Sequence, residues 1–136
     1  MRNVKALIVE DDFTSRKLLT DLLAKYGHCD VAVDGKEALR AFEEAYSSGE
    51  PYELICLDIM MPELDGHGVL RSIRQFETAQ DVATGDGVRI VMTSALGDPK
   101  NVLAAFKSGC EAYIEKPIEK ERLLSELEKL GLITRG

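Results

Sequence analysis

Glu10, Asp11 and Asp12 stand together directly after the apolar run Ala6 to Val9, and Asp58 stands directly after Leu54-Ile55-Cys56-Leu57. Thr93 and Ser94 follow Ile90-Val91-Met92, and Lys116 comes soon after Ala112-Tyr113-Ile114. Carboxylates gathered at one place repel one another and raise one another's pKa unless they share a cation. An all-oxygen set without His or Cys favours Mg²⁺. With a metal and an ammonium group beside it, a carboxylate can attack phosphorus, because phosphoryl transfer needs mainly positioning and neutralisation of charge on the transferring oxygens. Taken singly, each of these acids is as well explained as a solvated turn residue. Four strand ends carrying mutually compatible groups are much harder to dismiss.

For these residues to meet, the apolar runs that precede them must be strands of one sheet. The pattern supports this: runs of strand length alternate with longer stretches whose apolar residues recur at helical spacing. Ala6 to Val9 leads into Leu18, Leu19, Leu22, Leu23 and Tyr26, with Gly27 as the stop. Val31 and Val33 mark a second strand, and Ala38, Leu39, Phe42, Ala45 and Tyr46 a second helix face. Leu54 to Leu57 is apolar without interruption, as in a strand covered on both faces, so it is expected at the centre. A helix from about Gly66 carries Val69, Leu70, Ile73 and Phe76; Thr78 to Gly87 reads as a loop. Ile90 to Met92 is the fourth strand, followed by a helix with Pro99 in its first turn and Val102, Leu103 and Phe106 on its face. Ala112 to Ile114 and a helix bearing Leu123, Leu124, Leu127 and Leu130 complete five strand–helix units. Such alternation predicts an α/β doubly wound parallel sheet, and in open parallel sheets ligands bind beyond the carboxyl ends of the strands.

The bulk properties narrow the function classes. A chain of 136 residues, 45% of them hydrophobic, suits one compact domain. The expected organisation is a single domain over residues 1–136, with its core from about residue 4 to about residue 132 and no effector domain. Seventeen basic against 24 acidic residues give a formal charge of −7, which argues against nucleic acid and against anionic membrane as direct partners. No apolar run suits a signal peptide or a membrane span, so a cytoplasmic location is expected. Cys29, Cys56 and Cys110 are odd in number and far apart, and His28 and His67 lie at no metal-ligand spacing from them, so reduced, partly buried thiols are expected. His67 follows Asp65-Gly66 and reads as a solvated residue at a helix start.

The pieces Leu7-Ile8-Val9-Glu10-Asp11, Leu57-Asp58-Ile59-Met60-Met61-Pro62 with Asp65-Gly66, Met92-Thr93-Ser94-Ala95 and Tyr113-Ile114-Glu115-Lys116-Pro117 agree in order and spacing with one family. Across essentially its whole length the chain resembles the receiver domains of two-component response regulators, of the stand-alone CheY-like kind. The resemblance implies a flavodoxin-like (βα)5 fold with a five-stranded parallel sheet in the order 2-1-3-4-5. It further implies that Asp58 is the phospho-acceptor and that Glu10 and Asp11 form the acid pair. Asp11 and Asp58 would bind Mg²⁺ directly, Met60 through its backbone carbonyl and Glu10 through water, with Mn²⁺ able to substitute. Met60's thioether would face solvent. Lys116 would pair with the phosphoryl oxygens and Thr93 would bond one of them; Ala95 would leave the approach of water open. Tyr113 matches the family's switch aromatic, whose ring turns inward when the threonine hydroxyl moves toward the phosphate. Pro117 matches its cis proline, and Asp12 is a supporting neighbour. Glu115 departs from the commoner apolar residue and, on strand alternation, should face solvent.

The function so implied is that of a single-domain response regulator rather than an enzyme: it would catalyse only its own phosphotransfer and autodephosphorylation. The phosphoryl group would come from a histidine kinase or a histidine phosphotransfer protein. The signal would leave through a protein target docking on the face of the fourth helix, fifth strand and fifth helix. The alternative is a phosphorylation-independent, receiver-like interaction module, against which the full set Asp11, Asp58, Thr93 and Lys116 argues. A haloacid-dehalogenase-type phosphatase would carry a second Asp two residues after the first, where this chain has Met60. A nucleotide- or flavin-binding domain would need a Gly-rich loop where Glu10-Asp11-Asp12 stands.

Overall fold

In the computed structural model, which describes residues 3–61, 64–95 and 99–135, the apolar runs are the strands and the periodic stretches the helices. In chain order these are β1 (Val4–Val9), α1 (Phe13–Leu23), β2 (Gly27–Ala32), α2 (Gly35–Ser47), β3 (Leu54–Asp58), α3 (Gly66–Ala79), β4 (Arg89–Ser94), α4 (Pro99–Lys107), β5 (Ala112–Glu115) and α5 (Lys120–Lys129). The sheet order is β2-β1-β3-β4-β5 and every adjacent pair is parallel. This is the expected flavodoxin-like doubly wound arrangement, with the uninterrupted apolar run β3 at its centre.

Strand alternation divides the core into two layers. Leu7, Val9, Ile55, Leu57, Ile90 and Met92 pack against α2, α3 and Ala105 of α4. Ala6, Ile8, Leu54, Cys56, Val91 and Ile114 pack against α1 and α5, where Leu123, Leu124 and Leu127 bury the leucine stripe. Asp12, Asp34 and Asp65 cap the first three helices, each accepting a backbone N–H from Ser15, Glu37 and Gly68 respectively. The caps at Asp34 and Asp65 are worth about 1 kcal/mol each.

Several boundaries differ from the sequence expectation. The first helix ends at Leu23, and Gly27, expected as its stop, is the first residue of β2: Tyr26 leaves the helix in a turn, its N–H donating to Leu23 O at 2.9 Å and its carbonyl accepting the Val4 N–H at 2.8 Å. The third helix continues to Ala79, beyond the Thr78 at which a loop was expected, because Glu77 is buried and hydrogen-bonded there instead of facing solvent. The second strand ends at Ala32, and Val33 is exposed. The three cysteines are free thiols. No helix among the described residues is long and apolar enough to cross a membrane. Pro62 and the terminal residues Met1, Arg2 and Gly136 lie outside the described residues.

Candidate functional site

Parallel strands present their carboxyl ends to one edge, so Glu10, Asp58, Thr93 and Lys116 come together there despite separations of dozens of residues in the chain. Asp58 is the last residue of β3 and pairs in register with Thr93 on β4. The crossing is tightened by Ile59 N–H donating to Thr93 O at 3.0 Å and Lys116 N–H donating to Ser94 O at 2.8 Å. Gly66 is required at the start of α3: a Cβ there would meet the Asp58 carbonyl oxygen and come within 2.7 Å of Ile59 Cα. The helix is therefore seated against the backbone that presents Asp58.

Glu10 is fully buried and Asp58 is 2% exposed, while Asp11 is exposed. Carboxylate oxygens of these three residues lie within 4.8 Å of one another. Lys116 Nζ is 2.8 Å from Glu10 Oε2 and 3.4 Å from Asp58 Oδ2. Asp58 Oδ1 accepts the Met60 N–H at 3.2 Å, and Glu10 Oε1 accepts the Asp12 N–H at 3.1 Å. Burial, and then the neighbouring Glu10 carboxylate, push the Asp58 carboxyl up to about 7, against the opposing pull of Lys116. Burial alone would lower the Lys116 ammonium, but Glu10 and Asp58 together raise it above its ordinary value. One ammonium facing several crowded carboxylates leaves negative charge uncompensated, and the donors are all oxygen. Such a set fits a hard divalent cation.

Thr93 Oγ1 is buried and makes no hydrogen bond among the described residues. A hydroxyl in that condition at the edge of the acid cluster is suited to donate to an incoming oxyanion. Tyr113 is buried and lines a cleft of about 730 Å³ together with Val102 and Phe106 of α4, Pro117, and Arg122 of α5. The Met60 side chain is 58% exposed, and Glu115 and Ala95 face solvent. The Lys116–Pro117 bond is cis. Asp12 also caps α1: its carboxylate accepts the Ser15 N–H at 2.9 Å, and that bond holds its pKa below the usual carboxylate range.

Other contributors escaped the sequence. Arg16, one turn into α1, donates to the Glu10 and Asp11 carbonyl oxygens at 3.1 and 3.4 Å and so steadies the acid loop. Nothing in its neighbours distinguishes it from any solvated helix arginine. His67, expected in solvent, is half-buried and bonded across to Asn101 on α4. The sequence separation of 34 residues conceals that pairing.

Known proteins share this fold and sequence pattern. The family model for the response regulator receiver domain matches residues 6–128. The chain is 32% identical to the chemotaxis protein CheY of Bacillus subtilis over 92% of its own length and 95% of that protein's. It is 37% identical to a probable transcriptional regulator, ycf27, of Guillardia theta over 88% of its length, but spans only 42% of that relative. Among solved structures, the CheX–CheY–BeF3–Mg²⁺ complex from Borrelia burgdorferi superposes with a TM-score of 0.82 at 28% identity, covering 96% of this chain and 90% of the other.

Proposed function

We propose that this chain, which belongs to the response regulator receiver domain family, accepts a phosphoryl group on Asp58 and reports it through a protein-binding face. The observation that carries the proposal is the Lys116 ammonium 3.4 Å from the Asp58 carboxylate, with Thr93, whose hydroxyl makes no hydrogen bond among the described residues, in register with Asp58 on the neighbouring strand and Glu10 and Asp11 crowding the same corner. Mg²⁺, with Mn²⁺ able to substitute, would be held by Asp11, Asp58, the Met60 carbonyl and, through water, Glu10, and would neutralise charge on the transferring oxygens.

The donor is a phosphohistidine of a histidine kinase or phosphotransfer protein. An Asp58 carboxylate oxygen attacks phosphorus, the bond from phosphorus to the donor imidazole breaks, and the released electron pair stays on that nitrogen. Lys116 holds a phosphoryl oxygen as an ion pair and Thr93 donates its hydroxyl hydrogen to another. Ala95, small and exposed, leaves space for the water that later hydrolyses the acyl phosphate and restores Asp58. Only this self-directed transfer and hydrolysis is catalysed. Engagement of Thr93 favours the buried position of Tyr113, which reshapes the surface of α4, β5 and α5 for a downstream protein.

Incubation with acetyl phosphate and Mg²⁺, followed by intact mass, should add one phosphoryl group to the wild type and none to Asp58→Asn. A gain that survives in Asp58→Asn, or that does not depend on Mg²⁺, would sink the mechanism and favour a phosphorylation-independent module. Lys116→Ala and Thr93→Ala should still be phosphorylated but should lose phosphorylation-dependent partner binding, read by pull-down. Normal binding in both would contradict their roles.

A further inference from the structure

The geometry points to the His67–Asn101 hydrogen bond as a latch that holds the first turn of α4 in the arrangement competent for phosphorylation, which makes His67 a positioning residue for Asp58. The inference rests on the function proposed above, but on different residues.

The two ends of α4 are held by different chemistry. Beyond its carboxyl end, Arg74 of α3 donates to Gly109 O from Nε at 3.0 Å and Nη2 at 2.7 Å, and pairs with Glu111 at 2.7 Å. Gly109 adopts φ +104, a turn that glycine accommodates. This end is a charged, multiply bonded anchor. At the amino end, His67 Nε2 lies 3.2 Å from Asn101 Oδ1. An amide oxygen only accepts, so Nε2 is the donor, and the bond makes no use of Nδ1. That Nδ1 is buried and has no hydrogen-bond partner among the described residues. The ring is thus fixed toward α4 by a side-chain hydrogen bond while its other nitrogen gains nothing in this position.

The body of α4 is lightly seated. Ala105 is its one fully buried residue among those described, while Leu103 and Phe106 are 55% and 45% exposed. A helix with one small buried residue is easily shifted by a change at its end. One cavity joins the latch to the acid corner, and a second lies under the next turn of α4. The first, of about 490 Å³, is lined by Asp11, Ile59, Met60, Asp65, His67 and Asn101, so latch and acid corner share a wall. The other is the cleft in which Val102 and Phe106 face the buried Tyr113. The latch therefore stabilises the α4 placement that accompanies Tyr113 in its inward position. Breaking it should lower the population of that arrangement and slow acceptance by Asp58.

The test uses His67→Leu, Asn101→Ala, the double variant and His67→Gln, whose terminal amide can restore a donor near the position of Nε2. The readouts are the rate of phosphorylation by acetyl phosphate with Mg²⁺, and amide hydrogen exchange at residues 102–107 of the unphosphorylated protein. A single hydrogen bond predicts a slowing of about 2- to 10-fold in His67→Leu and in Asn101→Ala. Exchange in α4 should be faster in both, the double variant should be no slower than either single, and His67→Gln should be close to wild type. Unchanged rates and exchange, multiplying effects in the double variant, or a His67→Gln as slow as His67→Leu would each overturn the latch. Asn101→Ala leaves α3 unaltered, so a packing defect at His67 would show as a disagreement between the two singles and would also overturn it. If the wild type takes no phosphoryl group, the proposed function fails; hydrogen exchange then still decides the latch.

Discussion

Asp58 is a carboxylate placed where burial and the neighbouring Glu10 carboxylate disfavour its charge, and its pKa rises from an ordinary 3.8 to about 7. In the folded protein it thus keeps a proton over a range of pH in which the unfolded chain has lost it. Stability falls as pH rises from about 4 to about 7, and above that the full cost of the buried charge is present. In chelator, Asp58→Asn should therefore be more stable than wild type at pH 8, by up to about 4 kcal/mol. The gain should shrink toward pH 5, as measured by urea denaturation. A gain independent of pH would place its origin elsewhere. The same electrostatic tension that costs stability is what the proposed cation and the proposed phosphoryl acceptance would relieve.

At the scale of elements, helices and strands are tied at the edge opposite the site by a charged cluster. Arg74 of α3 pairs with Glu77 and with Glu111 at 2.7 Å each, and donates to Val88 O at 2.9 Å; Glu77 accepts the Val88 N–H and Glu111 the Ile90 N–H. Burial raises the Glu111 carboxyl even though the Ile90 N–H and Arg74 pull it down. Arg74→Ala would strand the buried Glu77 without its cation. The expected loss is about 2–3 kcal/mol, reduced from that of a fully buried pair because Arg74 is partly exposed. Because this cluster lies at the amino ends of β4 and β5 and the acids at the carboxyl ends, Arg74→Ala should still accept phosphate on Asp58. Urea denaturation and intact mass separate the two effects.

For the whole molecule, ligand binding and folding are linked: a cation that binds the folded acid corner and not the unfolded chain raises stability by about 2.7 kcal/mol at a hundred times its Kd. Thermal melting should shift upward with Mg²⁺, by about 10 °C at that concentration for a chain of this size. The shift should be much smaller in Asp11→Asn. A wild type whose melting is indifferent to Mg²⁺ would contradict the proposed metal site. The chain spans under half of its ycf27 relative and nearly all of the Bacillus CheY.

The amino-acid sequence by itself determined the order of elements, the central place of Leu54 to Leu57, and the convergence of Glu10, Asp58, Thr93 and Lys116. These follow from local periodicity together with one topological rule, that parallel strands align their carboxyl ends. Tertiary structure decided what depends on distance between residues remote in the chain. It made Asp12 a helix cap, buried Glu77 beyond an expected helix end, drew His67 to Asn101, and set one lysine between two carboxylates. Hydrophobic spacing states which face of an element is covered. It is silent on which polar groups meet once the faces are covered, because such pairings depend on ångström-scale placement of whole elements.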